Sequence, residues 1–91
     1  MNPSAILRPS RDIRYRIIDG EAVVVQQHDA RVMNLNETGA CILEAMDGTR
    51  TVADIVDVLS ESFDVEPETL QADVLRFMDE LVATNVIEPV S

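Results

Sequence analysis

Residues 31–46 read RVMNLNETGACILEAM, and the structural period changes partway along them. Arg31 to Leu35 has the composition and length of a β-strand. At Asn36 the pattern switches from period 2 to period 3.6. Asn36 is a good N-cap residue, and Glu37 suits the positive end of a helix dipole. The spacing predicts a helix to about Met46 that buries Ile42, Leu43 and Met46, with Asp47-Gly48 as its stop. A strand that turns directly into a helix, with no strand after it, makes Arg31–Leu35 the last strand of its sheet.

Upstream, Gln27 to Ala30 is a polar connection, and Glu21 to Gln26 carries the β-branched run Val23-Val24-Val25. Asp19-Gly20 is a strong two-residue hairpin signal, because glycine takes the positive φ that such turns need. Before it, Ile13 to Ile18 places Ile13, Tyr15 and Ile17 on one face and Arg14 and Arg16 on the other. Three strands at these short spacings imply an antiparallel meander whose third strand has no further partner and presents an open edge. Residues 1–12, with two prolines and two serines, read as a flexible arm, leaving 13–88 as a single domain.

Downstream, Thr51 caps a second helix, with Asp54 three residues on in a variant of the capping box. Val52, Ile55, Val56, Leu59 and Phe63 form its apolar stripe, and Asp54, Asp57 and Glu61 line the opposite side. Pro67 opens a third helix that runs to about Thr84, where Asn85 is suited to a left-handed C-cap. Val86-Ile87 then leads to Pro89 and a frayed end. The order is three strands followed by three α-helices, an α+β domain.

Composition limits the function. A chain of 91 residues with 46% hydrophobic content supports one modest core, burying roughly 60–65% of its unfolded surface. The net charge is −10, and all seven basic residues are arginines. Five of them precede Asn36, whereas beyond it only Arg50 and Arg76 face thirteen carboxylates. A field of that sign repels phosphate backbones and anionic lipid, so neither nucleic acid nor membrane is an expected partner. Arginines interrupt the first twenty residues too often for a signal peptide, and no stretch reaches the length of a membrane span. These features predict a soluble cytoplasmic protein.

No catalytic constellation emerges, so no enzyme activity, metal or cofactor is expected. His28 is the single histidine, in a polar loop beside Asp29, and one imidazole makes no zinc site without other strong ligands. Cys41 is the single cysteine, which rules out an internal disulfide; it lies on the first helix among Ala40, Ile42 and Leu43 as a packed small residue. Three glycines, at 20, 39 and 48, cannot form a phosphate-cradling loop. The third helix is more informative. Leu70, Val74, Phe77 and Leu81 form its core row, and Leu75, Met78 and Val82 make a second apolar row alongside. The second row either packs on the other helices or flanks a groove that another molecule fills.

Several pieces together resemble the PqqD family: Leu35-Asn36-Glu37-Thr38, Ile42-Leu43, Asp47-Gly48-Thr49-Arg50-Thr51-Val52 with Ile55, Asp73-Val74 with Phe77 and Leu81, and Val86-Ile87. They occur in order over roughly residues 8–88. The resemblance implies a winged-helix-like domain that recognises the leader of a ribosomal precursor peptide and presents it to a modifying enzyme. In pyrroloquinoline quinone (PQQ) biosynthesis that enzyme is a radical S-adenosylmethionine enzyme. It also implies that the peptide adds as a strand beside the third strand, with side chains entering a groove against the third helix. On that basis Val32, Met33, Asn34 and Leu35 are candidates for the strand contact, Leu75, Met78 and Val82 for the groove, and Arg31 and Arg76 for pairing with peptide carboxylates. The connection Val25-Gln26-Gln27-His28-Asp29-Ala30 lacks the proline of the dedicated quinone-pathway protein, so the family is better marked than the pathway. The competing reading is a winged-helix DNA-binding regulator using the third helix. Asp73, Asp79 and Glu80 around Arg76 make that helix a poor surface for phosphates.

Overall fold

The computed structural model describes residues 2–90. Its elements are β1 (Leu7–Pro9), β2 (Ile13–Ile18), β3 (Glu21–Gln26), β4 (Arg31–Leu35), α1 (Glu37–Ala45), α2 (Val52–Ser60), α3 (Pro67–Ala83) and β5 (Ile87–Pro89). The three strands expected from the sequence form one antiparallel sheet in the order β2-β3-β4. The three helices follow, giving the α+β architecture anticipated above.

Local chemistry accounts for where each helix starts and stops. Asn36 accepts a hydrogen bond from the Gly39 N–H at 2.9 Å and caps α1. Thr51 and Asp54 form the full capping box on α2: the Asp54 N–H donates to Thr51 Oγ1 at 3.1 Å, and the Thr51 N–H donates to Asp54 Oδ2 at 3.0 Å. At the end of α3, Asn85 sits at φ 64°. The Val86 N–H donates to Leu81 O and the Asn85 N–H to Val82 O, which is the Schellman pattern with asparagine in place of glycine.

The turn between α1 and α2 is organised by one carboxylate. Asp47 Oδ1 accepts from the Thr49 N–H, the Thr49 hydroxyl and the Arg50 N–H at 2.9, 2.8 and 2.9 Å. The Thr49 backbone bond, then its hydroxyl and the Arg50 N–H, lower the Asp47 pKa from 3.8 to about 2. Arg50 Nη1 also donates to Ala45 O at 3.1 Å, satisfying a carbonyl of the last turn of α1. A carboxyl whose pKa is lower in the folded state stabilises the fold above its unfolded pKa, and that contribution is lost as pH falls through the folded value. An Asp47→Asn variant is therefore expected to melt below wild type at pH 6. The gap should narrow as pH falls from about 4 towards about 2, as read by thermal unfolding across that range.

Residues 2–12 depart from the flexible arm expected over 1–12. Leu7 is only 1% exposed, and β1 pairs antiparallel with β5 in the register Leu7↔Pro89, Arg8↔Glu88, Pro9↔Ile87. Farther back, Ala5 O accepts from the Val52 N–H and Pro3 O from the Ala53 N–H, both at 2.9 Å. These are two of the donors that the first turn of α2 cannot satisfy internally. The arm is thus tied down by its backbone, and the tail expected to fray is its partner strand. Met1 lies outside the described residues.

The core sits between the inner face of the three-stranded sheet and the helices. It joins Ile13, Ala22, Val24 and Leu35 to Ile42, Leu43, Val52, Ile55, Leu59, Leu70, Val74, Met78 and Leu81, and Leu7, Val86 and Ile87 seal its end. Gln26, 4% exposed, is satisfied inside it: its Nε2 donates to Thr84 O at 2.7 Å and ties β3 to the end of α3. Among the described residues, no helix is long and apolar enough to cross a membrane.

Candidate functional site

β4 is an edge strand, and its hydrogen-bonding pattern determines what the edge offers. The Gln27 N–H donates to Asp12 O at 2.9 Å, towards β2. Successive residues of a strand direct their backbone polar groups to opposite edges. Ala22, Val24 and Gln26 therefore bond towards β4, through their partners Leu35, Met33 and Arg31. Val32 and Asn34 turn their N–H and C=O groups away from the sheet, to the open edge. Both side chains are exposed on the outer face, whereas Met33 and Leu35 point inward to the core side.

Beyond the end of β4 lies an open cleft of about 370 Å³. Asn36, Thr38, Gly39 and Ile42 of the α1 start form one wall, and Phe63 and Val65 of the α2–α3 connection close one end. The third side is α3, through Leu70, Val74, Phe77 and the charged rim of Asp73, Arg76 and Glu80. Gly39 is what lets Phe77 lie here. A Cβ on residue 39 would sit 3.0 Å from Phe77 Cζ and 3.1 Å from Leu35 Cβ, tighter than ordinary contact.

The structure redistributes the apolar rows expected on α3. Met78 is 0% exposed and belongs to the core row, with Leu70, Val74 and Leu81. Phe77, expected in the core, is only partly buried and faces the cleft. Helical geometry alone does not select between the two, because at about 100° per residue Phe77 and Met78 flank the stripe of Leu70, Val74 and Leu81 on opposite sides. The packing of α3 against α2 turns Met78 inward. Leu75 and Val82 are partly buried against the core. At about 100° per residue they lie about 160° and 140° around the helix from Phe77, and neither lines the cleft.

Arg31 stands exposed at the start of β4. Arg76 reaches the rim but is already engaged, its Nη2 donating to Asp73 Oδ1 at 2.6 Å. With Asp73 and Glu80 beside it, the rim carries more negative than positive charge, which disfavours a phosphate backbone. His28 sits in the exposed β3–β4 loop, where its backbone N–H donates to Asp12 Oδ1 at 3.0 Å. Cys41 is a free thiol packed partly against the core. Among the described residues, no three His, Cys, Asp or Glu side chains are grouped to hold a metal.

The sequence places Phe63 on the apolar stripe of the second helix, but α2 ends at Ser60 and Phe63 instead lines the cleft; Val65 and the Gly39–Phe77 contact were missed. A glycine in the first turn of a helix costs helix stability, and it was the available sign of a close approach at residue 39.

An open strand edge beside an apolar cleft is the arrangement of a small module that accepts an extended segment, a class defined by backbone pairing. The chain belongs to the PqqD family: the model for coenzyme PQQ synthesis protein D matches residues 21–87. PqqD domains are non-catalytic peptide-binding modules. The bifunctional coenzyme PQQ synthesis protein C/D of Methylorubrum extorquens is 27% identical over 85 residues, 93% of this chain. This chain spans 23% of that protein's length. The solution NMR structure of the PqqD truncation of Methylobacterium extorquens PqqCD, a functional and stand-alone RiPP recognition element, is similar at a TM-score of 0.74. It is 26% identical, with 97% of this chain and 99% of that one covered. The same fold appears in TbiB1 in complex with the TbiA(β) leader peptide, at a TM-score of 0.84, 20% identity and coverage of 92% and 98%. A lasso peptide synthetase B1 complexed with its leader peptide has a TM-score of 0.83, 21% identity and coverage of 93% and 100%.

Proposed function

We propose that this chain binds the leader segment of a ribosomal precursor peptide as an added strand on β4 and presents it to a modifying enzyme. The enzyme is of the radical S-adenosylmethionine type, in PQQ biosynthesis or a related modified-peptide pathway, and the setting is the cytoplasm. The observation that carries this reading is the outward pair Val32 and Asn34, unpaired along an edge that runs to the apolar cleft under Phe77. Main-chain bonds to these two residues supply affinity with little demand on sequence. Alternate side chains of the added strand point to the core side, where the cleft selects apolar ones. Arg31 and Leu35 bound the contact at either end, Met33 forms its inner wall, and Arg76 meets a peptide carboxylate by exchanging its bond to Asp73. Two further facts support the reading: membership of the PqqD family, and leader peptides bound to two proteins of the same fold.

The test uses synthetic leader peptides of ribosomal precursors of the PQQ and lasso types. Calorimetric titration should give one-to-one binding with a negative heat-capacity change, the mark of buried apolar surface. Hydrogen exchange with and without peptide should show new protection at the Val32 and Asn34 amides, while Met33, already bonded to Val24, changes little. Binding without protection at 32 and 34 would mean that the peptide docks elsewhere.

A further inference from the structure

The outer face of the β2-β3-β4 sheet is not used by the core or the cleft. Arg14, Arg16 and Ile18 of β2 lie beside Val23 and Val25 of β3, and Val32 of β4 extends the row. Ile18 is 50% exposed, Val25 37% and Val32 66%. A shallow depression runs between Arg14, Tyr15, Arg16, Ile18, Val23 and Val25. In a chain of charge −10, these two arginines are also uncommitted. Arg8, Arg50 and Arg76 lie within 4.0 Å of Glu88, Asp47 and Asp73, whereas among the described residues neither Arg14 nor Arg16 pairs with a carboxylate. Arg14 Nη1 donates only to Ile13 O, at 3.2 Å.

We propose that this outer sheet face is a second docking surface, which takes an apolar patch rimmed by carboxylates on the enzyme that modifies the bound peptide. An apolar centre flanked by arginine is the composition of a protein–protein interface. Charge selects the partner. A second copy stacked face to face would oppose four guanidinium groups, and an anionic membrane would meet two arginines on a strongly acidic chain. An acidic protein surface satisfies both arginines and covers the valines. The proposal rests on the strand-addition reading in one respect. A peptide strand on β4 would lay its alternate side chains on this same face, next to Val32 and Asn34. The loaded chain then offers a wider surface than the empty one, so peptide and enzyme strengthen each other's binding.

The test uses a purified radical S-adenosylmethionine enzyme of PQQ biosynthesis, the synthetic leader peptide of the precursor that it modifies, and two variants, Arg14→Glu/Arg16→Glu and Val25→Ser. Enzyme affinity should fall about tenfold or more in the charge-reversed chain. Peptide affinity should stay within about twofold, and the unfolding midpoint close to wild type, because the altered side chains lie on the exposed face away from the cleft. Val25→Ser should weaken the enzyme contact in the same direction. Unchanged enzyme affinity in the charge-reversed chain, or no enzyme binding by wild type, overturns the proposal. So does a wild-type dimer in sedimentation that the variant abolishes, or binding to phosphatidylglycerol vesicles that the variant abolishes. If wild type binds enzyme but not peptide, the strand-addition reading fails, and the charge-reversed chain still decides this surface.

Discussion

Proline at position 32 or at position 34 is expected to weaken leader-peptide binding about tenfold or more and leave the domain folded, whereas proline at 33 should unfold it. All three residues lie in one five-residue strand, and they differ in where their N–H points. Val32 and Asn34 direct theirs to the open edge, so within the free protein nothing is lost when proline removes the donor. Proline is tolerated on edge strands in this orientation. An added strand loses that bond and meets the pyrrolidine ring where its backbone must approach. The missing bond is worth about 0.5–1.5 kcal/mol. The steric term comes on top, so a fall of tenfold or more, about 1.4 kcal/mol, is expected. Met33 instead bonds to Val24 at the centre of the sheet. Removing its donor leaves a buried carbonyl unpaired, at about 1–3 kcal/mol, and forces a ring into the ladder. Titration calorimetry and thermal unfolding of Val32→Pro, Met33→Pro and Asn34→Pro separate these effects. Wild-type affinity in both edge variants would show that no strand adds to β4.

How much of this was legible in the sequence depended on how local the determinants are. The central strands were readable because β-branched runs and the Asp19-Gly20 turn act within a few residues. The caps at Asn36, Thr51 and Asn85 were readable for the same reason, since a cap is a hydrogen bond between near neighbours. The pairing of β1 with β5 was not readable. It joins Leu7–Pro9 to Ile87–Pro89 across nearly the whole chain, both strands have three residues, and the bonds are backbone ones that composition does not encode. The open edge of β4 followed from topology alone, because a helix succeeds the last strand. The cleft did not: it depends on which of two adjacent residues, Phe77 or Met78, turns inward. A 3.6-residue period leaves the two 100° apart on either side of the same stripe. Only the packing of α3 on α2 and the sheet selects between them.

That selection has a measurable consequence. Truncating Met78 to Ala is expected to cost about 2–5 kcal/mol of stability, the range for a fully buried large side chain. That is a large share of the roughly 5–15 kcal/mol that holds a small domain together. Any peptide affinity measured on the molecules that remain folded should be close to wild type, because Met78 contributes no surface to the cleft. Phe77→Ala should behave in the opposite way. Its ring is only partly buried, over Gly39, so its loss costs less stability than a core truncation. It removes the wall of the cleft, however, and peptide binding should weaken by about 1–3 kcal/mol, the range for an aromatic anchor at an interface. Phe77→Leu keeps an apolar wall and should recover part of that loss, which a purely structural role for the ring would not require. Chemical denaturation gives the stability of each variant, and calorimetry under conditions where each is fully folded gives its affinity. If Phe77→Ala were to lose as much stability as Met78→Ala and still bind peptide as wild type does, Phe77 would be a core residue. The peptide would then have to reach α3 by its other flank, through Leu75 and Val82.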